Sequence, residues 1–138
     1  MHKNTVEKAV RLRKQQSKYS EKLLDYFYHT KHAGILVTNN LTIFTAEVGT
    51  LEQGAIIQLY LNIQEKIIQA TFKAYGPPPI IAGAEYICQW LIGKTIKEAK
   101  LFKLEDLFMG LELKKLNIDT AVLLRSVLEK TLQTFHFI

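Results

Sequence analysis

A chain of 138 residues with 48% hydrophobic side chains is long enough for one domain with a real core and too short for two ordinary ones. Its one cysteine, Cys88, excludes an internal disulfide framework and any metal centre built from several thiolates of a single chain. The net charge of +5 is local: residues 1–22 carry 7 basic and 2 acidic side chains, and residues 23–138 carry 11 of each, so the basicity belongs to a segment and the remainder is neutral.

In chain order, residues 1–18 read as a basic helical extension. They have good helix formers, no Pro or Gly, and only a thin apolar stripe of Val6, Val10 and Leu12. Arg11, Arg13 and Lys14 are its candidate partner-binding side chains. No aromatic residue interleaves the charges before Tyr19, so specific nucleic-acid binding is not expected. Ser20 is a candidate N-cap for a helix from Glu21, and Leu23, Leu24, Phe27 and Tyr28 recur at helical spacing. Residues 32–40 read as a loop.

Three strands follow, over 41–49, 55–63 and 66–75. In the second, Ile57, Leu59, Leu61 and Ile63 alternate with Gln58, Tyr60 and Asn62; in the third, Ile68, Ala70, Phe72 and Ala74 alternate with Ile67, Gln69, Thr71 and Lys73. Short connections and one apolar face predict an antiparallel meander buried on one side. Ile80, Ala84, Ile87, Cys88 and Leu91 form the apolar face of a helix ending at Gly93, with Pro79 in its first turn and Pro77 and Pro78 extended before it. Two short helices follow, and Asp119 is a candidate N-cap for the last one. The fold class is α+β: a three-stranded antiparallel sheet with helices packed on one face, plus the extension over 1–18, the domain itself running from 19 to 138.

The order of these elements, with "YSEKLLDYF", "FKAYG", "WLIGKTIKEA" and "LEL" before the last helix, resembles the IscU family, also called the N-terminal domain of NifU. The likeness covers about Tyr19 to Phe135. It implies a scaffold on which iron-sulfur clusters are assembled with sulfur from a cysteine desulfurase. The family holds the cluster with cysteines in a "GAPACGD" loop, in "YGCG" and in "HC", with an aspartate and a histidine beside them. Here the cysteine positions are Gln53, Pro77 and Thr120, the aspartate position is Ala55 and the histidine position is Asp119. A "NPRN" motif is replaced by His29 to His32, and "LPPVK" by Leu113 to Asn117, with Lys114 and Lys115.

The resemblance thus implies an inherited fold with lost ligands, and no cofactor is expected, neither an iron-sulfur cluster nor iron or zinc. Gln53, Asp119 and Thr120 offer a hard cation one carboxylate only. His29 and His32 have a spacing that two metal ligands can use, with no third soft ligand nearby. The expectation is a non-enzymatic protein-interaction, regulatory or structural subunit. It would contact a protein partner, a cysteine desulfurase or another assembly component, through Pro77, Pro78, Pro79, Lys114, Lys115, Arg11, Arg13 and Lys14. The alternatives are a metal carrier whose ligands a partner completes, and a charged-surface binder acting through residues 1–18. No apolar run reaches the roughly 20 residues of a membrane-spanning helix, and no secretory signal is evident; a cytoplasmic chain is expected, or alternatively one of the mitochondrial matrix.

Overall fold

The computed structural model describes residues 19–37, 40–113 and 118–135. The extension with Arg11, Arg13 and Lys14, and the pair Lys114 and Lys115, lie outside the described residues. The elements are α1 (Glu21–Tyr28), β1 (Ile43–Thr50), β2 (Ala55–Ile63), β3 (Ile67–Tyr75), α2 (Pro78–Leu91), α3 (Ile96–Ala99), α4 (Leu104–Gly110) and α5 (Ile118–Phe135).

The sheet has the order β1-β2-β3 with both neighbours antiparallel. Alternation puts Phe44 and Val48, Ile57, Leu59 and Leu61, and Ala70 and Phe72 on one face, all buried. Helix α5 covers that face under β1 and β2, α2 covers it under β3, and α1 packs on α2. Gly83 is where the helices approach closely: a Cβ there would stand 2.6 Å from Leu124 Cδ1. Ser20 caps α1 by accepting a bond from the Leu23 N–H at 3.0 Å, and its hydroxyl donates to the Leu111 carbonyl. Thr95 and Glu98 form a capping box around α3.

Four expectations are corrected. The pairing register shifts between Asn62 and Ile63, which turns Ile67 into the core and leaves Ile68 47% exposed, the reverse of strict alternation. Tyr60 and Asn62 are buried although they sit on the sheet's outer face, because the central strand is flanked by the side chains of both neighbours. Helix α2 begins one residue earlier than expected: Pro77 is the N-cap, extended at ψ 164°, and Pro78 and Pro79 occupy the first two helical positions. Helix α5 begins at Ile118, so Asp119 lies inside the first turn rather than before it, where its charge complements the helix dipole.

The two sheet edges differ. Residues 32–34 run parallel to β3: the Phe72 N–H donates to the His32 carbonyl at 2.9 Å and the Gly34 N–H to the Phe72 carbonyl at 2.8 Å. The start of β3 is closed by the turn after α2, with Ile67 N–H bonded to Lys94 and Gly93 N–H bonded to Ile67. Along β1, the Ile43 N–H alone is engaged outside the sheet, by Asn40 at 3.1 Å, among the bonds between described residues.

Candidate functional site

The positions singled out by sequence converge at one end of the sheet. Residues 51–54 connect β1 to β2, stiffened by Gln53 N–H to Thr50 Oγ1 at 3.1 Å and Gly54 N–H to the Leu51 carbonyl at 3.0 Å. Register brings β3 to the same end, since Ile56 faces Tyr75. Gly76, at φ 151°, lies so close that an added Cβ would stand 3.2 Å from Ala55 Cβ, and Pro77 follows it. At the far end of α5, Phe135 packs edge-on against Phe44 with ring centroids 5.3 Å apart. An 18-residue helix and an 8-residue strand both span about 27 Å, so α5, packed on β1, is long enough to carry its first turn, with Asp119 and Thr120, back toward the hairpin end.

The donors gathered there are sparse. Gln53 and Asp119 are exposed, Thr120 is half-buried, Ala55 is buried and Pro77 is exposed. Ala55 and Pro77 have no ligand atom, and Pro77 also lacks the amide that a neighbouring residue would offer to an anionic sulfur. Leu51, Tyr75, Ile118 and Val122 are all more than half exposed, giving this end an apolar rim. The lone thiol, Cys88, is fully buried in α2, about 15 Å of helix rise from Pro78. Burial, and then the charge of Glu85, hold its pKa well above the usual thiol range, so it stays protonated and behaves as a small apolar side chain. Iron-sulfur clusters are held by thiolates, and these residues do not fit one on their own. Among the described residues no group of three or more His, Cys, Asp or Glu is placed to hold a metal ion.

The histidines behave differently from each other. His29 is the C-cap of α1 and its exposed ring contacts Asp25 Oδ1 at 3.1 Å. The His32 ring Nδ1 is bonded to Glu85 Oε2, whose side chain has zero exposure. Glu85 Oε1 also accepts from the Lys31 and His32 backbone N–H groups, each at 2.8 Å, and Oε2 accepts from Gln89 Nε2 at 2.8 Å. Burial pushes the Glu85 carboxyl upward, but the bonds from Gln89, the His32 ring and the His32 and Lys31 amides together bring it below the ordinary carboxylate value. It is a satisfied buried anion that ties the chain between α1 and β1 to α2. Sequence reasoning missed it; the available signal was its position as the sole charge between Lys73 and Lys94, on a helix otherwise apolar or neutral.

Comparison with known proteins supplies the family. The model of the NifU-like N terminal domain matches residues 18–138. The chain is 26% identical over 119 residues to the iron-sulfur cluster assembly scaffold protein IscU of Escherichia coli K12, covering 85% of this chain and 93% of that one. It is 30% identical over 119 residues to the iron-sulfur cluster assembly protein IscU of Plasmodium falciparum 3D7, covering 86% and 74%. Among solved structures, a protein of Fervidobacterium islandicum AW-1 described as a cluster assembly scaffold for the SUF system superposes with a TM-score of 0.63 at 23% identity, over 83% of this chain and 96% of that one. A NifU-like N-terminal domain of Brucella abortus gives 0.61 at 11%, over 85% and 93%. The α+β expectation agrees with this likeness of fold.

The expectation of a chain without any cofactor is corrected by these matches. It rested on the missing ligands alone, whereas the matched family and the relatives named as cluster assembly scaffolds point to iron-sulfur cluster binding. The cluster therefore enters as the family's cargo, and the question becomes where its thiolates come from. With the family model matching residues 18–138, nearly the whole chain, the protein belongs to the NifU-like N-terminal domain family.

Proposed function

We propose that this chain serves iron-sulfur cluster assembly as a non-enzymatic subunit that works by protein contact, and that a partner supplies the thiolates for cluster cargo at the hairpin end of the sheet. One observation supports this reading: at the hairpin end, where Ala55 packs beside Gly76 and Pro77, neither Gln53, Ala55 nor Pro77 offers a thiolate, and the matching positions Asp119 and Thr120 on α5 offer none either. The stiff Pro77–Pro79 turn and the exposed Leu51, Tyr75, Ile118 and Val122 favour contact there, since a rigid surface loses little entropy on docking. The partner class is a cysteine desulfurase or another assembly component that carries accessible cysteines.

Anaerobic incubation with ferrous iron and sulfide, followed by desalting and metal analysis, tests the reading. The chain alone should retain no stoichiometric cluster. Mixed with a cysteine desulfurase it should co-elute with iron and sulfide, and lose them when the desulfurase cysteine is replaced. A cluster bound stoichiometrically by the chain alone would refute the reading, as would no cluster in either preparation.

A further inference from the structure

We infer that the outer edge of β1 is a docking strand that accepts an extended, basic segment of another protein by strand addition. The hydrogen-bond parity of the sheet fixes which backbone groups are available. Ile63 N–H donates to the Thr42 carbonyl at 2.9 Å, so even-numbered residues of β1 bond to β2. Odd-numbered residues sit in the non-bonded pairs Ile43–Asn62, Thr45–Tyr60, Glu47–Gln58 and Gly49–Ile56 and turn their N–H groups outward, with their C=O groups alongside as far as Glu47, since Gly49 leaves the extended conformation at φ 92°. The same parity predicts that even-numbered residues of β3 point outward, and Phe72 does so, bonded to His32 and Gly34.

The edge of β3 is closed by the chain itself, whereas the N–H groups of Thr45, Glu47 and Gly49 have no backbone partner among the bonds of described residues. Open edges are commonly protected by lysine, proline or short length. Strand β1 is eight residues long, contains neither residue, and is backed on its inner face by α5, so it is a firm template. Its single charge is Glu47, exposed at mid-edge. A segment seated there places a side chain directly across from Glu47, where an opposite charge is favourable and a like charge is not. This selects an occupant with Lys or Arg at that position and β-branched neighbours, in the manner of other strand-addition complexes. The docking is independent of cluster ligation: it requires backbone amides and Glu47, and no pocket residue.

The test uses the full chain and two synthetic nonapeptides of alternating threonine and valine, one with lysine and one with glutamate at its centre, followed by amide exchange and chemical-shift mapping. The lysine peptide should slow exchange at Thr45, Glu47 and Gly49 and bind at least about tenfold more tightly than the glutamate peptide, a difference of about 1.4 kcal/mol. Glu47→Pro should abolish binding while leaving the fold in place, because proline is tolerated where an edge N–H faces solvent. Glu47→Lys should reverse the peptide preference. The inference is overturned by unprotected amides at saturating peptide or by shifts mapping elsewhere. It is also overturned by Glu47→Lys that leaves the preference unchanged, or by dimerisation of the chain through these same amides.

Discussion

The two halves of α2 obey different constraints. From Ala82 to Leu91 the helix is locked: Gly83 admits Leu124, Glu85 is enclosed by four hydrogen bonds, and Ile87, Cys88 and Leu91 are buried. At its start Pro78 and Pro79 are half-buried and Pro77 before them is exposed, with the Ile80 N–H bonded to the Pro77 carbonyl at 2.9 Å. The locked half is held by packing and by satisfaction of a buried charge, whereas no buried polar group of the helix ties down its first turn.

The sharpest way to break the comparison is Glu85→Ala, which strands two amides, the His32 ring and Gln89. A loss of about 3 kcal/mol is expected in urea unfolding. Next is Gly83→Ala, where the added methyl collides with Leu124; about 2 kcal/mol should be lost, read from the shift in urea midpoint. The locked half should also respond to acid. Because the Glu85 pKa lies below its ordinary value of 4.5, its stabilisation is complete above that value and disappears as pH falls through the lower folded-state pKa. The wild-type urea midpoint should therefore drop, as pH falls below 4.5, more steeply than that of Glu85→Gln. Ser20→Ala removes the cap of α1 and should cost about 1 kcal/mol. Smallest of all, Gln53→Ala and Pro77→Ala should each stay within about 0.5 kcal/mol in thermal unfolding; a large loss at either of them would erase the distinction between the two halves.

Much of the fold was legible. The alternation over 55–63 marks β2 at its observed bounds, Ser20 is the cap it reads as, and the apolar face of α2 is buried as expected. Local pattern failed where tertiary partners decide. Ile67 and Ile68 exchange faces because of a pairing shift against β2, which one strand's sequence does not encode. The start of α5 lies two positions earlier than Asp119 as a cap implies. Glu85 shows in the sequence only as a lone charge on an apolar helix, because its amide partners are 53 and 54 positions away. At the hairpin end the sequence shows that Gln53, Ala55, Pro77 and Thr120 carry no thiol, but the exclusion of any cofactor did not follow from that, since a partner's ligands leave no trace in this chain.

The most direct test restores the donors: Gln53→Cys, Ala55→Asp, Pro77→Cys, Asp119→His and Thr120→Cys in one chain, reconstituted anaerobically beside the wild type without a partner. If an intact framework has lost only its ligands, the restored chain should hold stoichiometric iron and sulfide and show the visible absorption of a thiolate-bound cluster, while the wild type should show neither. A wild-type chain that retains the cluster by itself would contradict the account.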